Sequence, residues 1–125
     1  MSYVTFSAEI VESIHDHIMN PGELQGRARD KSLERALGRV ENRLAYGMIN
    51  DAYDLAAAYA VAIAMGHCFN DGNKRTAFRV MNAALVFNDV RLVWTTELIG
   101  QIIVRAAQGL MDEGELAEWL RGSGV

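Results

Sequence analysis

Apolar residues recur along the chain at helical spacing. Ile10, Ile14 and Ile18 stand four apart with Val11 beside them, and Ser7 and Glu9 precede them as an N-cap and a first-turn carboxylate. The pattern predicts a first helix, stopped by Asn20-Pro21-Gly22. The stretch from Gly22 to Arg29 has no helical period and is expected to form an exposed loop or small hairpin. Asp30 or Ser32 opens a second helix on Leu33, Leu37 and Val40, widened by Ala36 and Leu44 and ended by Gly47. Asn50 or Asp51 starts a third helix, apolar on nearly every side to Met65, with Gly66 as its expected stop. A helix of that kind belongs in the middle of a domain.

A fourth helix is expected from about Gly72 to Asn88, with Met81, Leu85 and Val86 facing a core. Arg91-Leu92-Val93-Trp94 is short and β-prone. Thr95 or Thr96 caps a fifth helix that buries Ile99, Ile102, Ile103 and Ala106 and ends at Gly109. Asp112 and Glu115 form a capping box for a last helix carrying Leu116, Trp119 and Leu120. The fold class is all-α: six helices around a buried central one, in a single domain covering residues 1–125.

Composition narrows the function. The 125 residues carry a net charge of −4, which argues against direct, general nucleic-acid binding. The longest run without Asp, Glu, Lys or Arg is 16 residues, Leu55 to Asn70, short of the ~20 that span a bilayer. Glu9 and Glu12 stand where a secretory signal would be basic and then apolar. Cys68 is the single cysteine and has no intrachain partner, so a reducing cytoplasm is the expected setting. Positive charge is local: residues 27 to 43 hold six basic side chains against three acidic ones. Arg35, Arg39 and Arg43 recur every four residues on the second helix, either as a solvated face or as a dock for an acidic segment.

The informative segment is His67-Cys68-Phe69-Asn70-Asp71-Gly72-Asn73-Lys74-Arg75-Thr76, a polar turn between the apolar helix and the next. The first amides of a helix lack partners within it and carry partial positive charge. Lys74 and Arg75 oppose that dipole unless an anion sits there, and phosphate suits the place. Gly72 would let a ligand approach the backbone, and Asp71 supplies a hard oxygen for Mg²⁺ beside the phosphates. An imidazole titrates near neutrality, so His67 is the candidate general base. His15 and His17 have no such context and carry no assigned role. The segment is no P-loop, since Gly72 and Lys74 are not adjacent.

These ten residues resemble the signature of the Fic/Doc family, His-Pro-Phe-x-(Asp/Glu)-Gly-Asn-Gly-Arg-x-x-Arg, and specifically its Doc ("death on curing") branch. The chain departs from the wider pattern in having Cys68 for Pro, Lys74 for Gly and Phe78 for the last Arg; Arg79 is one residue off and turned by about 100°. The resemblance implies a toxin that moves the γ-phosphoryl group of ATP to a threonine of elongation factor Tu and so stops translation. It also implies a Phd-like cognate antitoxin whose C-terminal segment folds onto the toxin. In that reading His67 takes the proton of the target hydroxyl and Asp71 holds Mg²⁺. Gly72, Asn73, Lys74 and Arg75 hold phosphate, while Gly22, Glu23, Leu24, Gln25 and Gly26 form a flap that aligns the target by strand addition. The alternatives are AMP transfer on the same scaffold, or a non-enzymatic helical adaptor with a decayed motif.

Overall fold

The computed structural model describes residues 2–123. Six helices form in the expected order: α1 (Ala8–His17), α2 (Leu33–Ala45), α3 (Ala52–Gly66), α4 (Asn73–Phe87), α5 (Thr96–Ala107) and α6 (Glu113–Gly122). Ser7, Ser32, Asp51, Thr95 and Asp112 each cap a helix by accepting a backbone N–H, and Asp112 with Glu115 makes the reciprocal capping box.

Helix α3 is the centre. Every residue from Leu55 to Ala64 is buried, and α2, α4, α5 and α6 all pack against it. Six of those ten residues are alanine, which lets neighbouring helices approach closely at native density. Arg121 ties α6 to the start of α3 through Asp51 and Asp54, with nitrogen–oxygen distances of 2.6 to 3.2 Å.

Four local expectations change. On α1 the buried face is Val11 and His15, while Ile10 is 46% exposed and Ile14 and Ile18 are half-buried. One position of shift rotates a helix by about 100°, and the face that meets α4 decides which register is buried. Gly66 is the last helical residue, and His67 takes the left-handed C-cap conformation at φ +49°. Arg91 to Trp94 is an extended connection with no strand. It is anchored by Trp94, whose ring packs against Phe78 and Trp119 at centroid distances of 6.3 and 6.2 Å. Val86 is half-buried and lines a cleft between α1 and α4.

Candidate active site

The turn from His67 to Gly72 joins the two most extensively packed helices, α3 and α4. It is bracketed by two left-handed residues, His67 at φ +49° and Gly72 at φ +80°. A left-handed conformation costs a side-chain-bearing residue of order 1 kcal/mol, and such strain concentrates where a side chain must be aimed. The His67 side chain is exposed and makes no hydrogen bond among the described residues. Phe69 is buried and Asn70 is exposed, so the turn alternates between anchor and rim.

Asn73 closes the turn from inside. Its Oδ1 accepts the Phe69 N–H at 3.0 Å and its Nδ2 donates to the Phe69 carbonyl at 2.8 Å. That leaves Asn73 its backbone N–H and one amide hydrogen for a ligand. A Cβ at Gly72 would lie 3.2 Å from Met19 Sδ and 3.5 Å from the His15 ring, so the missing side chain makes room for α1 and the residues that follow it. The N-terminus of α4 has no side-chain cap and no acidic residue in its first turn. Its amides, with exposed Lys74, form a positive end.

The segment from Gly22 to Arg29 is no hairpin. It is pinned to the turn by a single antiparallel bridge between Arg27 and Phe69, in which Ala28 N–H donates to the Cys68 carbonyl (2.8 Å) and Asn70 N–H to the Gly26 carbonyl (3.1 Å). Asn70 Nδ2 adds a bond to the Gln25 carbonyl at 2.9 Å. Arg27 then holds the segment to α1 and α2 through Glu12 and Glu34, at 2.8 Å each. The Arg27 hydrogen bonds hold the Glu34 carboxyl below its ordinary range.

Two of the predicted site residues are engaged by this segment. Asp71 Oδ2 accepts the Leu24 N–H at 2.8 Å. Arg75 donates to the Ile18 carbonyl at 2.7 Å and pairs with Glu23, whose other oxygen accepts the Asn20 N–H at 2.6 Å. Among the described residues no three His, Cys, Asp or Glu side chains converge into a metal cage. A cation at Asp71 would therefore draw most of its ligands from phosphate and water, as Mg²⁺ commonly does.

Beside Lys74 and Arg75 lies a cleft of about 470 Å³ between α4 and α5, floored by Phe78, Trp94, Ile99 and Ile103. His67 is not part of its lining. Arg79 lines the opposite cleft with Ser13 and His17, which confirms that it cannot replace the arginine missing at Phe78. Cys68 is fully buried, and burial pushes its thiol pKa up, so it is a packing residue and not a nucleophile. Arg43 of the basic stripe is ion-paired to Glu113 at 3.0 Å, while Arg35 and Arg39 stay exposed.

One residue of the site escaped the sequence reading. His15 is fully buried, its ring stacks on Phe69 at 3.8 Å and 6°, and its Nε2 lies 2.7 Å from the Asp71 carbonyl. The one signal available was its place four residues after Val11, on the face that turned inward.

The model for the Fic/DOC family matches residues 5–85. The chain is 40% identical over 119 residues to the "Protein kinase doc" of Escherichia phage P1, covering 92% of this chain and 91% of that protein. The match runs from α1 to late α4 and so takes in the flap, the turn and its left-handed ends, and on that basis the chain belongs to the Fic/Doc family.

Proposed function

We propose that the chain is a Doc-type toxin that transfers the γ-phosphoryl group of ATP to a protein hydroxyl, with a threonine of elongation factor Tu as target, and that it acts in the cytoplasm. The observation that carries this reading is the uncapped N-terminus of α4, with Lys74 exposed beside it and the exposed, left-handed His67 at the head of the same turn. The phage P1 relative is a protein kinase by name, which supports a kinase over an AMP transferase.

His67 would take the proton of the acceptor hydroxyl onto its imidazole. The acceptor oxygen bonds to the γ-phosphorus as the bond from that phosphorus to the bridging oxygen breaks, and ADP leaves with the electron pair. The α4 amides at Gly72 and Asn73, with Lys74, would hold charge that builds on the phosphoryl oxygens, and Arg75 would join once it releases Glu23. Asp71 would hold Mg²⁺, which when bound would supply charge that neutralises the phosphates. Leu24 is 65% exposed at the flap, open to an extended target segment laid along it.

We propose that a Phd-like cognate antitoxin would dock in the apolar cleft beside Lys74. A helix with an apolar face and a terminal carboxylate would fill it and neutralise the charges that phosphate needs.

The test is incubation of the protein and a cell extract with ATP labelled at the α or the γ phosphorus. Label from γ alone is expected, abolished by His67→Ala and weakened by Lys74→Gly. Label from α would mean AMP transfer. No label from either, with His67→Ala leaving toxicity unchanged, would mean that the chain is not an enzyme of this kind.

A further inference from the structure

His15 is a fully buried ionisable side chain that takes no part in the transfer chemistry. A buried imidazole is costly unless its polar atoms are used. Its Nε2 is 2.7 Å from the Asp71 carbonyl, which can only accept, so this nitrogen carries a proton and donates. Its ring lies flat on Phe69, and its edge is 3.5 Å from the point where a Cβ on Gly72 would sit. Thus α1 supports the inner side of the turn at Phe69, Asp71 and Gly72.

The Asp71 carbonyl and the Gly72 N–H belong to one rigid trans peptide plane, in which the two bonds point in opposite directions. Holding the carbonyl inward on His15 aims the Gly72 N–H outward. The same anchor sets where the Asp71 side chain leaves the backbone. Phe69, the other end of the contact, is itself locked by Asn73.

We propose that His15 is a positioning residue: from α1 it sets the direction of the first phosphate-facing amide and of the Asp71 carboxylate. The functional half of this proposal rests on the reading of the turn as a phosphoryl-transfer site. Neither Phe nor Leu would serve, because each could fill the space but neither can hold the carbonyl.

Two variants separate this role from simple packing. His15→Phe keeps an aromatic ring against Phe69 and loses the donor, whereas His15→Gln keeps an N–H donor of similar reach and loses the ring. Three quantities are measured for each: the thermal midpoint, the hydrogen-exchange rates of the hydrogen-bonded Phe69 and Asn70 amides of the turn, and kcat and KM for ATP with Mg²⁺. In His15→Phe the turn amides are expected to exchange about tenfold faster and kcat to fall about tenfold or more, with KM moving less than about threefold. His15→Gln is expected to recover most of both. Wild-type exchange and kcat in His15→Phe would overturn the proposal, as would equal impairment of both variants in step with their thermal midpoints. Exchange needs no turnover, so it decides the positioning role even if the wild-type chain transfers no phosphoryl group; that result would remove only the functional reading.

Discussion

The Glu23 carboxylate of the flap is ion-paired with the Arg75 guanidinium in the first turn of α4. On the proposed phosphoryl-transfer reading, an incoming phosphate would displace a carboxylate that is already in place. The pair is partly exposed, with Arg75 39% and Glu23 24% accessible, so its worth is about 1 kcal/mol. Glu23→Ala is expected to tighten ATP binding by roughly fivefold in calorimetric titration. Unchanged or weaker binding would mean that Glu23 holds Arg75 in its working position instead of competing with the nucleotide.

Gly66 packs where no side chain fits. A Cβ there would meet Cys68 Sγ at 2.9 Å and Ala36 Cβ at 3.4 Å. Gly66→Ala is expected to cost about 1–3 kcal/mol of unfolding free energy in urea titration. The double variant with Cys68→Ala should lose less than the sum of the two single changes, because the clashing sulfur is gone. Strict additivity would place the strain elsewhere.

Acid should weaken the link between α3 and α6. Burial alone would raise the pKa of the Asp51 carboxyl, but hydrogen bonds from Arg121 and the Asp54 N–H outweigh it and hold the group below its ordinary value. With the folded value depressed, the unfolded chain takes up the proton first. The stabilisation is then present above about pH 4 and lost as pH falls further. Unfolding free energies at pH 6 and pH 3.5 should drop more for the wild type than for Asp51→Asn. Equal drops would show that the Arg121 contacts contribute nothing.

Thr76 is fully buried in α4, and its hydroxyl has no hydrogen-bond partner among the described residues. Thr76→Val removes the hydroxyl at nearly constant shape, so stability should be unchanged or rise by up to about 1 kcal/mol. A loss of stability, measured by thermal or urea unfolding, would show that the oxygen is satisfied by a buried water.

Reading the chain as six helices works because each helix advertises itself locally. Capping residues stand at five of the six starts, and the apolar run of α3 is long enough to identify the centre. The ten-residue motif is equally legible, because a contiguous turn needs no fold to bring its parts together. The register of α1 was less legible. Ile10 and Val11 are both apolar neighbours, and only packing against α4 selects the face with Val11 and His15.

By itself, then, the sequence determined the helical class, the order of elements and the turn with His67, Asp71 and Lys74, since caps, period and contiguous chemistry act over a few residues. Tertiary structure alone decided what each site residue is doing. It turned the Asn73 side chain onto Phe69, set Glu23 on Arg75, bridged Arg27 to Phe69 and placed His15 under Asp71, 56 residues away. Contacts of that range follow from how α1 and the flap pack on α3 and α4, and no local pattern encodes which polar atom meets which.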